Sequence, residues 1–489
     1  MGGVSRGDGF DRGVAASKLG KEIQFTQEEA FAERMQIMIP NKTYLHLLGY
    51  LARLFNRNLQ DNITEEYKQE IYGESLFAPH DFDYISTPYD RLLNYHAAHD
   101  LGHAFQRVAL VGCTSFAAWG PATVDSQMLM GRNFDFYAGD KFAQNKVVLF
   151  CRPTTGRKFA MITWAGFIGC VSGMNDAGLA ITLNSDESDM PSGAATPISL
   201  LAREILQYAT TIDEAYAIAA KRRIFVSESL LISSARDHRS AIIEKSPTRM
   251  ALYDPHGHMI LSTNHFLSDT FLHEEVNQRA IATTSSGYRY EHLQELMAQQ
   301  SPLDYTRCAT ILRDQRGKGG KDIGLCNEKA VNQLIAHHSI IFQPEQKRFW
   351  ISTAPYMLGE YICYNLDNVF AHAADHRAAT RISDQSRTIP ADTFLRTAAW
   401  AALLQYKKGE ENIQKDISDT HAPFTHWEQL ISYNKEYWYP YYLVGQYYHS
   451  RHMDDRAVTF YRQALTKEIN DSSDVYDIKA LIGKMEAKN

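Results

Sequence analysis

No stretch of roughly 18 residues is both apolar and free of charge, so nothing in the sequence reads as a membrane-spanning helix. An excess of positive charge is missing too. The 50 basic residues stand against 57 acidic ones, and the formal net charge of −7 argues against a general nucleic-acid binder. With 15 prolines, 29 glycines and 44% hydrophobic residues, the chain is neither collagen-like nor mainly disordered. The six cysteines (Cys113, Cys151, Cys170, Cys308, Cys326 and Cys363) stand far apart, with no CxxC pair. That spacing excludes a zinc ribbon and a thioredoxin motif, and an even count in so long a chain implies no disulfide framework. No basic stretch followed by an apolar one opens the chain at Met1-Gly2-Gly3-Val4, so no signal peptide is visible. The compartment is unassigned, with periplasmic or exported placement expected only if a signal has been removed.

What is present is a chain of 489 residues, enough for three units at about 150 residues each. Residues 1–112 read as a mostly helical segment. Apolar residues recur every three or four positions from Phe25 to about Phe55, broken at Pro40, and Thr64 is a candidate N-cap. From Val108 short β-type runs follow one another, including Lys146–Cys151, Phe159–Trp164, Gly178–Leu183, Met250–Tyr253 and Met259–Ser262. Asn175-Asp176-Ala177-Gly178 and Asp254-Pro255-His256-Gly257 punctuate them as turns, with Asn175 read as a turn residue. One long helix is expected from Pro197 to about Ala220, and strands resume from His338 to Tyr364. Strands, then helices, then strands indicate an α+β core over 113–382 rather than a doubly wound sheet. From Ser383 to Asn489 the pattern reads as helical. Tyr441–Leu465 approximates one tetratricopeptide unit, either a degenerate array or a plain helical hairpin.

Two constellations carry chemistry. In His96-Ala97-Ala98-His99-Asp100-Leu101-Gly102-His103, His99 and His103 lie four apart, a spacing that suits a metal on a helix face. A His-ligated metallohydrolase is therefore one reading, although Asp100 is shorter than the Glu such a site uses as its base and no clear third ligand follows. The other constellation is Gly112-Cys113-Thr114-Ser115 followed by Gly131-Arg132-Asn133-Phe134-Asp135. A turn and a strand separate the two motifs, which can return Arg132 and Asp135 beside Cys113. A thiol needs a nearby cation to ionise and a base to take its proton. A lone cysteine here would be a core residue, and a non-catalytic binding protein is the third reading.

These residues also resemble a known family. Cys-Thr-Ser, then Gly-Arg-Asn-x-Asp, then Gly173-Met174-Asn175-Asp176-Ala177-Gly178-Leu179 and Leu183-Asn184, are similar to the N-terminal-nucleophile (Ntn) hydrolases. Within them the chain resembles the isopenicillin-N acyltransferase-like autoproteolytic enzymes, related to choloylglycine hydrolase, penicillin V acylase and acid ceramidase. Gly7–Gly13, Ser262–Phe266, Arg289–Leu293 and His338–Ile341 extend the likeness over about residues 7–370.

The resemblance implies a four-layer αββα core with a helical prosegment and a helical C-terminal extension. It implies cleavage of the Gly112–Cys113 bond, with residues 1–112 retained as an α chain and a Cys113 thioester formed from a linear amide or N-acyl substrate. The freed α-amine of Cys113 would serve as base, with Asp135 orienting it and Arg132 beside the thiol. Asn184 and Asn264 match the oxyanion-hole and amine-holding asparagines, and Arg289 a distal arginine. No cofactor and no metal are implied. A homo-oligomer is left open.

Overall fold

The computed structural model describes residues 2–38, 56–104, 110–137, 139–187, 194–335, 337–372, 382–419 and 421–487. Two sheets form the core. The first has eight strands in the order Gly2–Gly7, Val147–Pro153, Phe159–Thr163, Ser172–Asn175, Leu179–Ser185, Glu228–Ser234, Arg239–Lys245, Met250–Tyr253. The second has seven, in the order Met259–Ser262, Thr114–Ala118, Leu129–Phe134, His338–Gln343, Arg348–Ser352, Tyr361–Asn365, Ser383–Ile389.

Successive strand residues face opposite ways, and that alternation builds the layers. Leu179, Ile181 and Leu183 pack with Ile198, Leu201 and Ile205 of helix Ile198–Tyr208. Ala180, between them, faces the other sheet and shares a cluster with Met130, Ile340 and Phe342. On that second sheet Leu129 and Ile341 turn outward onto Leu293 and Ile311, from helices Ser285–Gln300 and Tyr305–Leu312. The result is a four-layer α+β core, helix–sheet–sheet–helix.

The N-terminal segment is built into this core. Strand Gly2–Gly7 pairs parallel with Val147–Pro153 at the edge of the first sheet. Arg12, on helix Gly9–Met38, donates to Glu66 (2.7 Å) and Glu70 (2.6 Å) of helix Glu65–Ser75. Glu70 also pairs with Arg203 (3.3 Å), on the core helix Ile198–Tyr208. Arg12, Glu70 and Arg203 are all buried. The approach of the two N-terminal helices depends on Gly13, where a Cβ would stand 2.0 Å from the Glu70 carbonyl oxygen.

The C-terminal helices Ala398–Ser418, Tyr439–Ser450, Asp454–Ala464 and Ser472–Glu486 surround their own aromatic core, including Tyr406, Tyr447, Tyr448 and Tyr461. Tyr439–Ser450 and Asp454–Ala464 form a helical hairpin, in which Gly445 admits the Tyr461 ring. Leu334 and Leu358 insert into this core from the sheet unit. Asn434 holds Leu325 through both its amide oxygen (3.0 Å) and its amide nitrogen (2.8 Å).

Two expectations change. The stretch after Ser383 does not begin as helix, because Ser383–Ile389 is the edge strand of the second sheet. Its sequence SDQSRTI lacks the apolar alternation of a half-buried strand, as suits an edge. The helix expected from Pro197 to Ala220 is two helices, Ile198–Tyr208 and Ile212–Lys221. Between them Thr211 accepts from the Glu214 N–H, while the Glu214 carboxylate takes the N–H and hydroxyl of Thr210, a new N-terminus by local capping. Within the segment read as mostly helical, Gly2–Gly7 forms a strand ahead of helix Gly9–Met38. Residues 39–55, where the helical pattern was read to continue past Pro40, lie outside the described residues.

Arg12→Ala would leave Glu70 and Glu66 short of a buried partner. Removing one member of such a network costs about 3–5 kcal/mol. A urea titration of the full chain is expected to show that loss, and a midpoint unchanged from wild type would refute the network's role.

Candidate active site

Cys113 sits between two short ladders. Leu110–Val111 pairs with Phe136–Tyr137, and Thr114–Ala118 pairs with Leu129–Phe134 in the register Ser115 opposite Arg132. The Gly112 N–H donates to the Asp135 carbonyl at 3.1 Å, closing the gap between the ladders. The hairpin thus returns Arg132 and Asp135 to Cys113, and all three are buried.

The Arg132 guanidinium lies 3.5 Å from the Cys113 Sγ through Nη2. It donates through Nη1 to the Val171 carbonyl (2.8 Å) and Ser172 Oγ (2.6 Å), and through Nη2 to the Leu183 carbonyl. It also stacks on the Phe134 ring, 4.3 Å from the centroid. Burial pushes the Cys113 thiol up, while the Arg132 charge pulls it back down. Cys151 and Cys170 are pushed up to about 12 by burial, as expected of core thiols.

Neither carboxylate oxygen of Asp135 has a hydrogen-bond partner among the described residues. Burial raises its pKa to about 7, against the pull of Arg289 and Arg132. A buried acceptor without a donor is costly, so this carboxyl has room for a donor that the described residues do not supply.

The two asparagines are occupied. Asn184 donates to the Ser262 carbonyl (3.2 Å) and Thr263 carbonyl (3.0 Å), and accepts from Ser115 Oγ (3.0 Å). Asn264 donates to the Ser185 carbonyl (2.8 Å) and accepts from Arg289 Nη2 (3.0 Å). Arg289 Nη1 reaches the carbonyl oxygens of Gly112 and Cys113, both at 2.7 Å. The structure therefore brings Cys113, Arg132, Asp135 and Arg289 together, with Asn264 joined through Arg289 and Asn184 one layer out.

Sequence reading passed over Gln333, whose Nε2 donates to the Gly112 carbonyl at 2.8 Å. Ser172, which no motif marked, meets His338 of the family-like segment His338–Ile341 at 2.9 Å behind Arg132. No spacing signals these contacts, since they form only when distant segments meet. Asn175 holds its turn, accepting from the N–H groups of Ala177 and Leu179.

His99 and His103 fall on helix Pro88–Ala104, but their side chains lie outside the described residues. Their neighbour His96 is fully used: Nδ1 pairs with the Leu92 carbonyl (2.8 Å) and Nε2 accepts from the Ile168 N–H (2.9 Å). Among the described residues no group of three His, Cys, Asp or Glu side chains is arranged to hold a metal ion. Nor is any described helix long and apolar enough to cross a membrane.

A cleft of about 650 Å³, counting the part open to solvent, is lined by Phe136, the residue after Asp135, and among the described residues by no candidate site residue. Phe31 and Tyr95 of the N-terminal segment line it with Phe136, Phe142, Trp164 and Phe167 of the core. The Phe134 ring, which Arg132 covers, is 5.9 Å from both Phe136 and Trp164.

Residues 122–356 match the family described as acyl-coenzyme A:6-aminopenicillanic acid acyl-transferase. This is the family that the motifs resemble. The acyltransferase match takes in Arg132, Asp135, Asn184, Asn264 and Arg289, and begins just after Cys113. An uncharacterized protein of Archaeoglobus fulgidus is 26% identical over 206 residues, 39% of this chain and 34% of that protein. Protein dcd1B of Dictyostelium discoideum is 22% identical over 262 residues, 51% of each chain. The chain thus spans about a third to a half of the length of the curated relatives it matches. Among solved structures, a Caenorhabditis elegans N-acylethanolamine-hydrolyzing acid amidase ortholog is 15% identical, covering 48% of this chain and 93% of that one, with a TM-score of 0.35.

The buried Asp135 gives a pH test. Its folded pKa lies above the ordinary 3.8, so the stability it contributes is complete below about pH 4 and is lost as pH rises through about 7. In a chain carrying Cys113→Ala, Asp135→Asn is expected to raise the melting temperature above pH 7 by about 2 °C or more. The gain should fade toward pH 4. A pH-independent change, or a loss at pH 8, would contradict the buried-carboxyl account.

Proposed function

We propose that this chain is a self-processing cysteine amidase or acyltransferase of the Ntn type, acting on a linear amide or N-acyl compound. The observation that carries the reading is the convergence on Cys113 of a guanidinium, a carboxylate lacking any donor among the described residues, and the clamped carbonyl of Gly112.

The first reaction is on the chain itself. The Cys113 thiol adds to the Gly112 carbonyl carbon, the C–N bond breaks, and the thiol proton ends on the departing amine of Cys113. Water then cleaves the Gly112 thioester, leaving a Gly112 carboxylate and a free Cys113 with both thiol and α-amine. An α-amine has an ordinary pKa of about 7.7–8.0, suited to a general base near neutral pH. The Asp135 carboxylate would accept from the new ammonium and gain the donor it lacks.

In turnover the amine takes the Cys113 proton, and the thiolate beside Arg132 attacks the substrate carbonyl. The amine then returns the proton to the leaving nitrogen. Water or a second amine resolves the thioester, and hydrolysis is favoured because water is always present. The aromatic cleft suits an apolar acyl group, with one wall supplied by the N-terminal segment. The match to the acyl-transferase family supports acyl chemistry at this site.

Intact-mass analysis decides the central step. Wild type is expected to yield fragments 1–112 and 113–489, while Cys113→Ala stays a single chain. A wild type that remains whole after prolonged incubation, or a Cys113→Ala chain that is still cut at Gly112, would end this reading.

A further inference from the structure

The scissile carbonyl has its own pair of donors, and they are not the asparagines that the family likeness suggests. The Gly112 oxygen accepts from Arg289 Nη1 (2.7 Å) and Gln333 Nε2 (2.8 Å). Asn184 and Asn264 spend their amide N–H groups on the carbonyls of Ser262, Thr263 and Ser185. In the uncut chain, then, developing negative charge on the Gly112 oxygen would meet one cationic donor and one neutral donor.

Two further observations show that the Gln333 contact is built. A Cβ on Gly112 would stand 2.4 Å from Gln333 Nε2 and 3.0 Å from its Cδ, so an alanine at the cleavage position would push the amide from its present place. The segment bearing Gln333 is also held from both sides. Asn133, on the strand that carries Arg132, donates to the Val331 carbonyl at 2.9 Å. Asn332 caps the Leu334 N–H at 2.9 Å, and the Leu334 side chain is buried in the aromatic core of the C-terminal helices. Gln333 itself is buried, so its amide is fixed before any reaction begins.

We propose that Gln333 is a catalytic residue of self-processing, forming with Arg289 the oxyanion pocket for cleavage of the Gly112–Cys113 bond. The proposal rests on the self-processing reading above. As the Cys113 sulfur adds to the Gly112 carbon, the carbonyl π pair moves onto the oxygen, and both donors shorten onto it. When the C–N bond breaks, the pair returns, the thioester forms and the nitrogen leaves with the thiol proton. A side-chain amide donates without needing to be ionised, and removing one such donor elsewhere lowers rates by about 10²–10³-fold.

The test is a time course of chain cleavage, followed by intact mass, for full-length wild type, Gln333→Glu, Gln333→Ala, Gly112→Ala and the double variant Gly112→Ala/Gln333→Ala. Both Gln333 variants are expected to process about 10²–10³-fold more slowly, with melting curves matching uncut Cys113→Ala. Gly112→Ala should also slow, and the double variant should be no slower than the slower single one, because the alanine methyl already displaces the glutamine. Wild-type rates in both Gln333 variants, with wild type itself cutting normally, overturn the role of Gln333 alone. So do Gly112 and Gln333 effects that simply multiply. A wild type that never cuts overturns the self-processing reading instead. Should the Gln333 variants unfold, the cleavage rate of the folded Gly112→Ala chain decides, and wild-type speed there overturns the proposal.

Discussion

Among the described residues no carboxylate bonds the buried Arg132 guanidinium, which ties the two sheets together at the site. Arg132 belongs to the second sheet, yet it donates to the carbonyls of Val171 and Leu183 and to Ser172, all in or beside the first. An unpaired buried charge is expensive, and here backbone dipoles, one hydroxyl and the Phe134 face offset the cost. Because those acceptors come from different strands, the charge fixes how the sheets meet. The Cys113 sulfur sits at the edge of that arrangement, 3.5 Å from the same nitrogen that binds Leu183. Thiol position and sheet packing are therefore one constraint.

Asp135 is the complement of that charge, held nearby without touching it. Its carboxyl is buried and lacks a donor among the described residues, while Arg132 and Arg289 act on it only through space. A group left in this condition is a stored demand for a proton or a cation. An amine released from Cys113 would meet the demand, and the energy spent in burying the carboxyl would be recovered in the processed chain.

The part of the site formed by one hairpin was legible in the sequence. Arg132 and Asp135 follow Cys113 across a single turn, and antiparallel register converts that spacing into contact. The strands Met250–Tyr253 and Met259–Ser262 were equally plain, because their apolar runs end at turn residues. Gln333 was not legible, since it lies 221 residues from Gly112 and nothing local marks an amide that will meet a distant carbonyl. The edge strand Ser383–Ile389 was missed for a related reason. Its pairing is made by backbone groups, and its polar side chains carry no periodic signal. The break after Tyr208 was written in Thr211 and Glu214, but a continuous apolar stripe masked it.

A cut at Gly112–Cys113 would divide the covalent chain at a point where the fold is not divided. Strand Gly2–Gly7 completes an edge of the first sheet, Glu70 faces Arg203 in the core, and Phe31 and Tyr95 wall the cleft that Phe136 also lines. Each of these contacts crosses the cleavage point in sequence and none depends on the severed bond. Were that bond cut, Phe31 and Tyr95 of the N-terminal segment would still wall the cleft. The C-terminal helices hold the carbonyl clamp, because Leu334 is anchored in their core while its neighbour Gln333 reaches Gly112. Parts from both ends of the chain thus meet near this region, Phe31 and Tyr95 at the cleft and Gln333, beside the anchored Leu334, at the Gly112 carbonyl.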